Sequence, residues 1–134
     1  MLTNEIRQEL IRVAIKNLER AYAPYSNYPV SAALLTSSGK IFSGVNIENA
    51  AYPTSICAER VAVFKAVSEG ERSFQAIAVV TPNAGMPCGS CRQVLSEFGL
   101  DTIVIIADKD GKIVLEQTIG ELLPGAFRPG DLSF

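Results

Sequence analysis

The sequence predicts an α/β protein, a three-layer α/β/α arrangement in which helices flank a central mixed five-stranded sheet. Three observations predict it. Apolar residues recur at helical spacing in one segment, cap and stop residues bound two more helices, and five short runs with strand character lie among them. Two of the helical segments each follow a strand, which reads as βα units and places helices on both faces of the sheet. The 134 residues fit a single domain, 1–134, with chain enough for one core and little for a second. No repeat, low-complexity stretch or linker interrupts them.

From Asn4 to Ala21 the apolar set Ile6, Leu10, Val13, Ala14, Leu18 and Ala21 follows a helix, with Thr3 or Asn4 as its cap. Val30 to Leu35 and Lys40 to Val45 form a hairpin around Ser37-Ser38-Gly39. Thr54 or Ser55 caps a second helix reaching Glu69, and Gly70 ends it. Gln75 to Thr81 is a short strand. Pro87 suits the first turn of a third helix, which runs to about Phe98 before Gly99. Thr102 to Ala107 and Lys112 to Thr118 are strands around Asp108-Lys109-Asp110-Gly111.

Charge and composition exclude several functions. A net charge of −2 and a pI near 5.1 provide no basic face for nucleic acid. No apolar run approaches the ~20 residues that span a bilayer. Met1 to Glu5 lacks the basic and apolar regions of a secretory signal. Three cysteines at metal-like spacing are expected to stay reduced, which fits the cytoplasm.

Those cysteines, Cys57, Cys88 and Cys91, are the only soft ligands, because the chain has no histidine. A closed structural zinc site takes four protein ligands, whereas a catalytic one takes three and leaves one position open. The count favours an open site, and Glu59, two residues after Cys57, is the adjacent acid/base. Both cysteine groups fall at predicted helix starts, where partial positive charge favours thiolates. Cys88 and Cys91 are three apart, so one turn presents both sulfurs on one side. Three thiolates on Zn²⁺ leave a net negative charge. Arg60, three residues after Cys57, and Arg92, directly after Cys91, are positioned to offset it, unless they are solvated helix arginines.

The pattern Cys57-Ala58-Glu59 followed by Pro87-Cys88-Gly89-Ser90-Cys91 resembles the zinc-dependent nucleoside and nucleotide deaminases. Ala23-Pro24-Tyr25-Ser26, Val45 to Tyr52 and Glu121 to Phe127 are similar to the small homotetrameric cytidine deaminases, so the likeness covers about Tyr22 to Phe127. It implies one zinc per subunit held by Cys57, Cys88 and Cys91, and hydrolytic deamination of cytidine and 2′-deoxycytidine in pyrimidine salvage. Glu59 would shuttle protons while the activated hydroxide attacks C4. The likeness also implies that Asn46 and Glu48 grip the ribose, with turn polarity as their plainer role. Tyr28 would wall the base or pack in the core, and the Ala58 backbone would read the ring edge. Ala50, Tyr52 and Phe127 match positions that reach a neighbouring subunit's pocket. The stretch Leu123 to Phe134 would then be donated to a partner, or else dock on its own domain.

The chain departs from the family pattern at Ser31, where glycine is common, at Pro53, and in ending at Phe134. Four rivals remain. One is a deaminase of a modified aminopyrimidine nucleoside such as blasticidin S, and another is a polynucleotide deaminase, for which the basic residues are lacking. The others are non-catalytic: a redox dithiol at Cys88-Gly89-Ser90-Cys91, or a structural zinc site borrowing a fourth ligand from another chain.

Overall fold

Thr3 opens the first helix. In the computed structural model, which describes residues 2–132, its hydroxyl accepts from the Ile6 N–H at 3.2 Å, so Thr3 is the cap and Asn4 the first helical residue. This helix, α1 (Asn4–Asn17), stops short of the expected Ala21, because Leu18–Arg20 tighten into a 3-10 turn.

The strands keep to the expected runs within a residue. β1 (Ser31–Thr36) and β2 (Ile41–Val45) pair antiparallel across a turn at Gly39, whose φ of 91° suits a residue without Cβ. β3 (Phe74–Thr81), β4 (Ile103–Asp108) and β5 (Ile113–Thr118) complete a five-stranded sheet ordered β2-β1-β3-β4-β5. The β3–β4 pair is parallel and the other three pairs are antiparallel, so the sheet is mixed.

Side-chain alternation divides the core between the two faces. Ala33, Leu35, Ala78, Val80 and Ala107 meet Leu10, Ile11 and Ala14 of α1, and the small alanines let that helix lie close. Leu34, Ile77, Val79, Val104 and Ile106 meet the helices on the other side, α2 (Ala58–Ser68) and α3 (Gly89–Ser96). Cover on both faces leaves β1 buried at every position. Each fully buried Leu or Ile there contributes roughly 1.5–3 kcal/mol.

Both of these helices start later than the sequence suggested. Thr54 and Ser55 do not cap α2, because their hydroxyls serve the preceding loop. Thr54 donates to the Ala51 carbonyl at 2.8 Å, and Ser55 accepts from the Asn49 N–H at 3.0 Å. Tyr52–Thr54 form a 3-10 turn and Ile56 is bridged to Ile47, so the cap position falls to Cys57. The helix ends at Ser68, and Gly70 turns the chain with φ 96°. Pro87 likewise lies ahead of α3 rather than in its first turn, since Cys88 takes the cap position; α3 ends at Ser96, before the expected Phe98.

The sequence reading did not anticipate α4 (Ile119–Leu122), opened by a capping box between Thr118 and Glu121. Beyond it, Pro129–Leu132 forms a 3-10 turn. Ser133 and Phe134 of the C-terminal stretch, and Met1 of the N-terminal one, lie outside the described residues. Among the described residues, no helix is long and apolar enough to cross a membrane.

Register places the site. Ser31 pairs with Val45 on one side and Val80 on the other, so the start of β1 and the ends of β2 and β3 share one sheet edge. The segments beyond that edge converge with the N-termini of α2 and α3.

Candidate active site

Cys57 and Cys88 hold the N-cap positions of α2 and α3, and Cys91 sits in the first turn of α3. Neither cap sulfur makes a capping bond to its helix backbone, which leaves both free to point at each other. The three Sγ atoms lie within 4.8 Å of one another, with Cys57–Cys88 at 3.7 Å and Cys88–Cys91 at 3.2 Å. Those gaps are far longer than a disulfide bond, and all three are free thiols. A tetrahedral zinc with bonds of about 2.3 Å has S···S edges of about 3.8 Å, close to the wider gap. The donor set therefore fits Zn²⁺.

Arg60 completes the cluster. Its Nη2 donates to Cys57 Sγ at 3.4 Å, and its Nε is buried with no hydrogen-bond partner among the described residues. The Cys57 thiol is pulled down to about 5, first by its hydrogen bond with Cys91 and then, against the effect of burial, by Arg60. Cys91 moves up for the reciprocal reason, with burial adding to it. The Arg60 guanidinium favours the thiolate on Cys57. Arg92 is turned elsewhere: Nε donates to the Pro87 carbonyl at 3.0 Å and Nη1 to the Leu122 carbonyl at 2.8 Å. It clamps the loop before Cys88 to α4 instead of touching sulfur.

Glu59, 3% exposed, lies in the first turn of α2. Burial pushes its carboxyl above the usual carboxylate range, and the neighbouring Cys57 charge adds to the rise. The side chain faces a cavity of about 380 Å³, the size of a small-molecule site. Cys57, Ala58, Arg60 and Cys88 line one side of it, and Tyr28, Asn46 and Glu48 another. Val30, Ser55, Ile56, Val79, Thr81, Gly85 and Met86 also line it and were not anticipated. Thr81 could have been found from its place at the C-terminal end of a strand in a βα unit, where open α/β sheets bind ligands.

Asn46 is locked on both sides: Oδ1 accepts from the Val30 N–H and Nδ2 donates to the Tyr28 carbonyl, each at 2.9 Å. It braces the chain entering β1. Glu48 accepts from the Tyr25 and Ser26 N–H groups at 2.9 and 3.1 Å, and from the Ser26 hydroxyl. That hydroxyl first, and then the two amides, hold its carboxyl below the usual range, so it faces the cavity as an anion. Every expected ligand, acid/base and substrate residue except Cys91 lines this one cavity, and the buried Cys91 sulfur lies within 4.8 Å of the other two. Ala50, Tyr52 and Phe127 stand outside it. Tyr52 is 69% and Phe127 57% exposed, and Tyr52 meets Tyr25 edge-on at 5.7 Å.

Residues 4–107 match the family described as "Cytidine and deoxycytidylate deaminase zinc-binding region". The chain belongs to this family. A cytidine deaminase from Halalkalibacterium halodurans is 51% identical over 130 residues, covering 95% of this chain and 98% of that protein. One from Sporosarcina psychrophila is 49% identical over 129 residues, covering 95% of each. The crystal structure of cytidine deaminase from Burkholderia pseudomallei superposes with a TM-score of 0.85 at 45% identity, covering 94% of this chain and 100% of that one. The chain is accordingly an enzyme of zinc-dependent hydrolytic deamination.

Proposed function

We propose that this deaminase converts cytidine and 2′-deoxycytidine to uridine and 2′-deoxyuridine, exchanging the C4–N bond for a C4–O bond with water and releasing ammonia. The observation that carries this reading is a cluster of three thiols, two of them lining one cavity together with a buried carboxyl and the charged Glu48. Cys57, Cys88 and Cys91 would hold one zinc per subunit, which when bound supplies Lewis acidity toward an oxygen nucleophile. Glu59 moves the protons. Its raised proton affinity suits it to take one from the attacking water and pass it to N3 of the pyrimidine, and then to carry the second from the added hydroxyl to the leaving amino group. Burial keeps that proton from bulk solvent.

The remaining residues orient the nucleoside. Glu48 offers an anionic acceptor to ribose hydroxyls, and Asn46 fixes the backbone that carries Tyr28 against the base. The Ala58 backbone, at the helix start between Cys57 and Glu59, faces the ring edge. Arg60 offsets thiolate charge.

The same reading extends to the cell. The enzyme acts in pyrimidine salvage in the cytoplasm, where its three free thiols stay reduced. It assembles as a homotetramer in which Ala50, Tyr52 and Phe127 contact neighbouring subunits; the exposure of both aromatics supports this. The test is a panel of cytidine, 2′-deoxycytidine, cytosine, cytidine monophosphate and blasticidin S, with product and ammonia quantified. Turnover confined to the first two supports the proposal. Preference for cytosine, the nucleotide or blasticidin S would replace it.

A further inference from the structure

Tyr28 has every polar group committed. Its N–H donates to Ser26 Oγ at 3.1 Å, its carbonyl accepts from Asn46, and its phenol donates to Asn83 Oδ1 at 2.6 Å. The last bond joins the segment entering β1 to the loop leaving β3. On that loop, the Gly85 N–H donates to Thr81 Oγ1 at 2.7 Å, and the Thr81 hydroxyl donates to the same Asn83 Oδ1 at 3.4 Å. Ala84, between Asn83 and Gly85, has φ 58°, a left-handed conformation that is costly for a residue with a Cβ. The loop therefore holds an unfavourable turn that something must fasten.

Gly85 shows how closely the phenol is fitted. A Cβ there would stand 2.3 Å from the Tyr28 hydroxyl oxygen, yet 3.4 Å from Cζ of the ring and 3.7 Å from Asn83 Oδ1. The hydroxyl alone occupies the space that a side chain would need. With phenylalanine at 28, the same Cβ would meet only ordinary contacts. Tyr28, Gly85 and the next residue, Met86, all line the cavity, so the fastened loop is one of its walls.

We propose that the Tyr28 hydroxyl, bonded to Asn83 and seated in the gap left by Gly85, positions the loop from Asn83 to Met86 as a wall of the substrate pocket. In this role Tyr28 is a positioning residue acting through Asn83, separate from any contact of its ring with the base. The kinetic consequence rests on reading the cavity as the nucleoside site, but the structural one does not. A wall that meets the substrate before and during the reaction contributes uniform binding, so loosening it moves KM more than kcat.

The experiment compares Tyr28→Phe, Asn83→Ala, Gly85→Ala and their pairwise combinations in the zinc-loaded enzyme, by thermal unfolding and by steady-state kinetics with cytidine. In the parent, Gly85→Ala forces the phenol off Asn83 and lowers Tm by about 3 °C. In the Tyr28→Phe background, the same substitution costs less than half of that. Tyr28→Phe and Asn83→Ala each raise KM by about threefold or more, with the larger part of the change in KM, and together do no more than either alone. Equal Tm losses from Gly85→Ala in both backgrounds would overturn the steric pairing, and multiplying KM effects would overturn the clasp. Should the parent not turn over cytidine, the proposed function fails, while the Tm coupling still decides the clasp.

Discussion

Gly44 on β2 and Ala58 at the head of α2 meet backbone to backbone: a Cβ on Gly44 would stand 2.5 Å from the Ala58 carbonyl oxygen and 2.6 Å from the Ala62 nitrogen. The helix turn that bears Cys57, Glu59 and Arg60 therefore rests on a strand position with no side chain. Both contacts are to main-chain atoms, which cannot rotate away.

Gly44→Ala is therefore expected to lift α2 from the sheet. Overpacking of this kind costs about 1–3 kcal/mol or more. The lift also displaces Glu59 relative to the substrate, for which misplacement by an ångström costs on the order of 10²-fold in rate. Denaturant unfolding and turnover should fall together; a fully active, fully stable variant would show that the helix tolerates the shift.

Arg60→Ala leaves Cys57 without its guanidinium partner and the metal site one unit more negative. Loss of such a partner costs about 10–100-fold in zinc affinity or activity. A competition with a chromophoric chelator measures it. Arg60→Lys should recover only part of the loss, since an ammonium carries the charge but lacks the planar fork.

Arg92→Ala acts differently. It removes two charge-assisted hydrogen bonds, to the Pro87 and Leu122 carbonyls, and should lower stability by about 2 kcal/mol or more. It releases the loop ahead of Cys88 from α4, so limited proteolysis should cut between Leu122 and Leu132 sooner than in the parent. The Arg60 variant should leave that cleavage rate alone.

The Ser26–Glu48 contact sets an acid limit. Glu48 is held below its unfolded value, about 4.3, so its contribution to stability is fully present above that pH. It is lost as pH falls through the lower folded value. Ser26→Ala removes the largest cause of the depression, so stability should fall most at neutral pH, and its difference from the parent should shrink as pH falls through the folded value. Circular dichroism against pH reads both.

How far the chain could be read without its structure follows from which interactions are local. The first helix and the strands were visible from apolar patterning, the next two helices from the residues that bound them, Gly70, Pro87 and Gly99, and the three thiols because no histidine or further cysteine competes. Cys57 as a cap was not visible. Thr54 and Ser55 are better capping residues, and only the loop contacts to Ala51 and Asn49 and the Ile47–Ile56 bridge show that they are occupied elsewhere. Short α4 was legible in principle, since Thr118 and Glu121 have capping-box spacing, but it lacks an apolar stripe long enough to stand out. The Arg92 contact with Leu122 joins residues thirty apart, and the Gly44 contact depends on how a helix crosses a strand; neither has a sequence signal.

The central claim is that Glu59 carries the protons for hydrolytic deamination beside a three-thiolate zinc. Its most direct test is ammonia release from cytidine by zinc-loaded parent and Glu59→Ala, with metal content measured on both. The account predicts release by the parent and a loss of at least ~10²–10⁴-fold in the variant, with zinc retained. Equal release by the two proteins at equal zinc content would contradict it.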